Sequence, residues 1–320
     1  GGIAASGGTL SNLNALIAAR NNAGLGTNPN SVLLVSEDAH SSFVKCIRVM
    51  GLDTRNLVRI KTDNQGRMDI NDLRNSLDKC SIENKKIFAI VATLGTTVRG
   101  AIDPIKEISE ICKERNIWLH IDGSIGGIFA VTSIPIEGLN NINQANSITI
   151  NPQKIIGITK TSSLLLVSNM STLENTFSTG LPYISSKKNI TNRGEIGIQG
   201  SRPAEVIKLW LGLRFLGLSG IEDILKSSIK RKKYFIESIS RNKFEIYSGP
   251  LHIVSFLPKG LTPKDSDYWT QTKVNELMKN NFMLSRPKFK GKYYLRVVMG
   301  NYNTKDSHIE QLLRFLDAYQ

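Results

Sequence analysis

Short apolar runs alternate with amphipathic stretches through the first part of the chain. Val32-Leu33-Leu34-Val35 reads as a buried strand, and so do Leu57 to Ile60, Ile87 to Ala92, Ile117 to Ile121, Ser147 to Ile150 and Ser163 to Val167. Between these runs, apolar positions at helical spacing predict helices over Leu10 to Arg20, Ser41 to Met50, Ile70 to Cys80 and Pro104 to Arg115. The last has proline in its first turn, where the missing N–H costs nothing. Strands buried on both faces read as continuous apolar runs. Their alternation with helices therefore predicts an α/β fold with a mostly parallel sheet.

The rhythm changes near residue 200. Glu205 to Leu216 and Ile221 to Ile239 predict two strong helices, His252 to Leu257 and Tyr293 to Val298 two strands, and Ser307 to Ala318 a closing amphipathic helix. Residues 258–268 and 284–292 are rich in Pro, Gly and Lys and read as surface loops. This predicts a small α+β C-terminal domain joined through the helix around Leu209–Leu216, with residues 1–212 forming the large domain and 213–320 the small one. No internal repeat or low-complexity tract interrupts the pattern.

Composition narrows the picture. A chain of 320 residues with 40% hydrophobic and 21% charged residues can bury a substantial core, which excludes global disorder. No apolar run approaches the ~18 residues of a membrane span. Cys46, Cys80 and Cys112 form neither a disulfide framework nor a zinc-ligand spacing, so a reduced, cytoplasmic setting is expected and no metal is. The net charge of +14 could suit a nucleic acid or an anionic membrane. Yet the basic residues are spread along the chain, and the densest cluster, Lys226 with Lys230, Arg231, Lys232 and Lys233, reads as one solvated helix face. Neither partner is expected. The chain opens at Gly1 without a Met or a charged stretch leading into an apolar one. No signal peptide is visible, and we expect a fragment whose true N-terminus is missing.

Four places could carry chemistry. Ser6-Gly7-Gly8-Thr9 runs directly into a helix, where free N–H groups and the positive dipole end suit a phosphate. A plain capped turn is the other reading. Asp122 ends the run Trp118 to Ile121, at the carboxyl end of a strand, where ligands of open α/β sheets sit. Its carboxylate could hold a protonated ring nitrogen or simply cap the next turn. Lys154 follows Ser147 to Ile150. A lysine desolvated there would have a lowered pKa and attack a carbonyl, whereas most lysines merely reach solvent. Lys160 competes with it. His40, in Glu37-Asp38-Ala39-His40, could stack on an aromatic cofactor or be a structural hydrogen-bonder.

In order, these segments resemble the group II pyridoxal-phosphate-dependent amino-acid decarboxylases, the group that holds the aromatic amino-acid and glutamate decarboxylases. The resemblance runs from residue 3 to about residue 240 and more weakly to the end. It rests on Ser6 to Thr9, on Ala92-Thr93-Leu94-Gly95-Thr96-Thr97, on Trp118 to Asp122, on Asn151 to Lys154, and on Ser201-Arg202 followed by Lys208-Leu209-Trp210. It implies an aspartate-aminotransferase-like (fold type I) large domain, pyridoxal 5'-phosphate as cofactor and a homodimer with sites at the subunit interface. It implies that Lys154 links to the cofactor aldehyde, that Asp122 pairs with the pyridinium nitrogen and that His40 stacks on the ring. Gly8, Thr9 and Asn151 would hold the phosphate. Thr97 would contact the ring or the Asp122 side, and His120 would support that network. Tyr183, in a polar loop over residues 178–197, would return a proton to the α-carbon once carbon dioxide leaves. The implied reaction turns an L-amino acid into its amine.

The sequence departs from the family pattern in three places. Gln153 stands where a histidine usually precedes the lysine, and it could still donate to phosphate or ring substituents. Ser124 stands where a small apolar residue usually lies under the ring, and could hydrogen-bond the cofactor. The family's segment ahead of the phosphate loop, which lines the substrate pocket, is missing, so the substrate is not readable. Arg202 and Arg296 are further candidate anchors for phosphate or carboxylate. Alternative readings are another reaction on the same cofactor (carbon–carbon cleavage or oxidative deamination), a remnant that only binds or dimerises, and a basic nucleic-acid binder.

Overall fold

The computed structural model describes residues 1–160, 162–180 and 192–317. Its large sheet has seven strands: β1 (Gly2–Ala5), β2 (Ser31–Ser36), β3 (Leu57–Ile60), β4 (Lys86–Thr93), β5 (Trp118–Gly123), β6 (Ser147–Ile150) and β7 (Ser163–Val167), in the order β1-β7-β6-β5-β4-β2-β3. Only β7 runs against the rest. It pairs antiparallel with both β1 and β6, and the other pairs are parallel. Strands β1, β2, β4, β5 and β6 therefore all end at the same edge.

Side chains alternate across each strand, and the core divides accordingly. Leu33 and Val35 of β2 and Ala89 and Val91 of β4 pack against helices α1 (Gly8–Asn22) and α2 (Ser42–Val49). Val32, Leu34, Ile90 and Ala92 face the other way, onto α3 (Ile70–Ile82) and α4 (Ile105–Glu114). The same alternation on β5 puts Leu119 and Ile121 in the second layer and turns Trp118, His120 and Asp122 toward α1.

Helix α5 (Ser171–Phe177) precedes the long α6 (Glu205–Ser238). The two predicted helices are both present, joined end to end across Gly217, whose non-helical φ of 62° falls in the region that glycine adopts without strain. Ile221 and Leu225, beyond Gly217, join the large-sheet core. Phe235 joins a separate core formed with β8 (Phe244–Ser248), β9 (Ile253–Pro258), α7 (Pro263–Lys279), the hairpin β10 (Lys288–Phe289) and β11 (Lys292–Tyr293), β12 (Leu295–Val298) and α8 (Asp306–Asp317). Strands β12, β9 and β8 form an antiparallel sheet.

Three expectations are corrected. Residues 284–292 are not all surface loop, because Lys288–Phe289 pairs with Lys292–Tyr293 and Phe289 is buried in the second core. Residues 258–268 are not all loop, because Pro263 begins α7: Thr262 caps it by accepting the Asp265 amide at 3.2 Å, and proline fits the first turn. The basic cluster is not all solvated. Lys226, Lys230 and Lys233 are exposed, but Arg231 is buried with its guanidinium on Met299 O (2.9 and 3.2 Å), and Lys232 Nζ donates to Gly249 O at 2.9 Å and Pro250 O at 3.2 Å. These two cations satisfy carbonyls where α6 meets the small sheet. No helix among the described residues is long and apolar enough to cross a membrane.

Candidate active site

At the shared strand edge lies a cleft of about 190 Å³ lined by Gly8, Thr9, Asn12, His40, Ser42, Thr93, Gly95, Thr97, Asp122, Ser124, Ile125, Asn151 and Lys154. Each of the five strand ends supplies part of it: β1 leads to Gly8 and Thr9, β2 to His40, β4 to Thr97, β5 to Asp122 and Ser124, β6 to Asn151 and Lys154.

The first turn of α1 forms one wall. Gly7 takes φ 101°, and Gly8 opens the helix, leaving amides ahead of the helix's own acceptors. A β-carbon on Gly8 would lie 2.7 Å from Asn151 Nδ2 and 2.8 Å from Ser124 Oγ. The Ser163 hydroxyl donates to Asn151 Oδ1, which orients that side chain with its NH2 toward Gly8. A bare backbone facing an amide donor and a hydroxyl is a cradle for an anionic oxygen.

Asp122 is buried, accepting from Ser124 N at 3.1 Å and Asn12 Nδ2 at 3.2 Å. Lys154 opens to the cleft from a short turn after β6. The protein around its ammonium lowers its pKa from the ordinary lysine value, and Arg296 and Lys160 push the same way while Asp122 opposes them. His40 stands at the mouth, its Nδ1 accepting the Ser42 amide at 3.1 Å. Desolvation lowers its pKa, Asp122 opposes the shift, and Lys154 and Lys45 add to it. His120 lies wholly buried behind Asp122, and burial pushes its pKa down to about 4. Thr97 turns its carbonyl to Arg296 of β12, whose Nε donates to Ser285 Oγ at 2.8 Å.

The cleft thus brings together Gly8, Thr9, His40, Thr97, Asp122, Ser124, Asn151 and Lys154. Gln153 does not line it; its side-chain oxygen accepts the Ser162 amide. Lys160 is exposed outside it, its carbonyl taking Lys208 Nζ at 3.0 Å. Arg202 lies by a smaller depression near Ser6 and Gln199, its guanidinium on Arg193 O. Tyr183 lies outside the described residues. Sequence reasoning missed Asn12, a buried amide on the face of α1 that meets β5.

Residues 1–257 match the model of the pyridoxal-dependent decarboxylase conserved domain. The chain belongs to the pyridoxal-dependent decarboxylase family. Among relatives of this family, it is 30% identical over 287 residues to acidic amino acid decarboxylase GADL1 of Xenopus tropicalis, covering 84% of this chain and 56% of that protein. It is 28% identical over 327 residues to aromatic-L-amino-acid decarboxylase of Bacillus atrophaeus, covering 99% and 68%. The chain spans roughly half to two thirds of the curated relatives it matches. The crystal structure of mouse CSAD superposes with a TM-score of 0.89 at 27% identity, covering 99% of this chain and 71% of that one. Oryza sativa TDC, solved with PLP and tryptamine, shares the fold at a TM-score of 0.91 and 20% identity.

The residues present fit the family's cofactor. The Gly8–Asn151–Ser124 cradle, which a β-carbon would fill, suits its phosphate. Asp122 offers an acceptor to a ring N–H, and Lys154, its pKa lowered by desolvation, offers the aldehyde an amine that is more often unprotonated.

Proposed function

We propose that this chain is the cofactor-binding part of an enzyme that decarboxylates an L-amino acid to the corresponding amine and carbon dioxide. The observation that carries this reading is that Lys154, Asp122 and the Gly8–Asn151 cradle line one cleft at one sheet edge.

When bound, pyridoxal phosphate supplies an electron sink for the pair of electrons left on the α-carbon. The chain's residues bind and orient. Gly8, Thr9, Ser124 and Asn151 would hold the phosphate. Asp122 would accept a hydrogen bond from the ring nitrogen, and a carboxylate there would favour the protonated ring. His40, neutral because desolvation lowers its pKa, offers a ring face without an added charge. Lys154, with its lowered pKa, holds a free amine in a larger share of molecules than a lysine surrounded by water would. Arg296, beside Thr97, offers a guanidinium for the substrate's carboxylate. Tyr183 is our candidate for returning the proton to the α-carbon.

A homodimer is supported by an exposed apolar stripe on the first half of α6: Ile207, Trp210, Leu211, Phe215 and Leu218, with Phe215 at 89% exposure. The three cysteines, all free and buried, support a cytoplasmic setting.

The test is a panel of L-amino acids supplied to the chain loaded with pyridoxal phosphate and scored for carbon dioxide and amine. The reading predicts release from at least one amino acid and none after Lys154→Ala. Release that survives Lys154→Ala would overturn it.

A further inference from the structure

Behind Asp122 runs a single line of hydrogen bonds among buried side chains. Trp118 Nε1 donates to Ser147 Oγ at 2.8 Å, Ser147 Oγ meets His120 Nδ1 at 2.8 Å, His120 Nε2 meets Asn12 Oδ1 at 3.1 Å, and Asn12 Nδ2 donates to Asp122 Oδ2 at 3.2 Å. Trp118, His120 and Asp122 share one face of β5, Ser147 stands beside them on β6, and Asn12 comes from α1. All five are at most 7% exposed.

The hydrogens in this line are not free to be placed independently. Indole N–H only donates, so Ser147 Oγ accepts it and has its own hydrogen left to give. A neutral imidazole carries one N–H. If it sits on Nε2, it donates to Asn12 Oδ1, while Ser147 donates to Nδ1. The Asn12 NH2 then faces Asp122 Oδ2, which accepts from it. If the proton sits on Nδ1 instead, Nε2 must accept. Asn12 must then turn its NH2 to His120 and its carbonyl to Asp122. Two oxygens 3.2 Å apart would then face each other unless Asp122 carried a proton.

We infer that Asn12 is a positioning residue that couples the tautomer of His120 to the hydrogen-bond role of Asp122, presenting a donor to the Asp122 carboxylate through a Trp118–Ser147–His120–Asn12 relay. Burial keeps His120 uncharged, which the relay requires, since an imidazolium would donate at both ends. Asn12 also donates toward Ser42 Oγ at 3.4 Å, so its second N–H has a partner in the orientation that donates to Asp122. The consequence for cofactor binding rests on the function proposed above; the coupling itself does not.

The test reads the chain without cofactor. Histidine labelled with 15N reports which ring nitrogen carries the proton. The chain has four histidines, so signals can be assigned by single His→Asn variants. In the wild type, His120 is expected as the Nε2–H tautomer. In Asp122→Asn, the Ser124 amide holds the new side-chain carbonyl, and the new NH2 faces Asn12. Asn12 is then expected to turn over and His120 to switch to Nδ1–H. In Asn12→Ala with Asp122→Asn, the switch is expected to vanish. A His120 tautomer unchanged by Asp122→Asn overturns the relay, and so does a switch that persists without Asn12. If Asn12→Ala fails to fold, the Asp122→Asn result still decides. A second readout is pyridoxal phosphate affinity by absorbance. Asn12→Ala is expected to weaken it about tenfold, and Asn12→Thr, which keeps one acceptor and one donor, to restore most of it. A chain that shows the tautomer switch but binds no pyridoxal phosphate keeps the relay and loses the proposed function; the reverse pattern does the opposite.

Discussion

Gly8 and Asn151 stand so close that a β-carbon on the first would lie 2.7 Å from Nδ2 of the second. In the proposed function that space receives a phosphate oxygen. Gly8→Ala is therefore expected to weaken pyridoxal phosphate binding by about ten- to a hundredfold, the range for forcing a methyl into a packed site. The helix should tolerate alanine well, so circular dichroism is expected to show an unchanged fold. Unaltered affinity would mean that the phosphate lies elsewhere.

Arg99 joins the site to the small sheet. It is 1% exposed, pairs through Nη2 with Asp38 Oδ2 at 2.7 Å, and its guanidinium lies 4.1 Å from the Phe289 ring centroid. Burial pushes the Asp38 carboxyl up and Arg99 pulls it back. Arg99→Met would leave Asp38 buried without its cation, at a cost of about 3 kcal/mol in urea unfolding. Adding Asp38→Asn is expected to recover part of that loss. Asp38 lies two residues before His40, so pyridoxal phosphate affinity should fall in the single variant as well.

His252 gives a pH signature. It is buried among Lys232, Arg231 and Lys154, and desolvation first, then those charges, push its pKa to about 4. The folded chain thus holds it neutral, while the unfolded chain takes up a proton below the ordinary value of 6.5. Its contribution is present in full above pH 6.5 and is lost as pH falls toward 4. Between pH 7 and pH 5 the loss is about 2 kcal/mol. His252→Phe cannot take up that proton and is expected to lose about 2 kcal/mol less than the wild type over the same interval. Parallel pH profiles of urea midpoints would contradict this.

Arg296 should act on substrate rather than cofactor. Arg296→Gln is expected to raise KM for the amino acid about tenfold, by loss of a charge-assisted hydrogen bond. Pyridoxal phosphate affinity is expected to change little. Equal loss of both would place Arg296 among the fold's supports.

Much of the fold was legible. The runs at Leu57 to Ile60, Ser147 to Ile150 and Ser163 to Val167 coincide with β3, β6 and β7, because an apolar run ends where the chain leaves the core. The same break made Asp122 and Lys154 visible as polar groups at strand ends. Asn12 was hidden because α1 is buried on nearly all sides and has no polar face against which a buried amide would stand out. Strand β1 escaped notice because Gly2–Ala5 is short and lies at the sheet edge. Helix α7 was masked by its Pro, Lys and Asp content, although Thr262 and Asp265 carried a capping signal. The inward turn of Arg231 and Lys232 depends on carbonyls distant in sequence, which periodicity does not register.

The most direct test is borohydride trapping. The chain is mixed with pyridoxal phosphate, reduced, digested and mapped by mass spectrometry. The account predicts a pyridoxyl group on Lys154 in the wild type, with the label lost in Lys154→Ala. A label on Lys160 in place of Lys154 would contradict the site, and a chain that retains no label would contradict the cofactor assignment on which the proposed function stands.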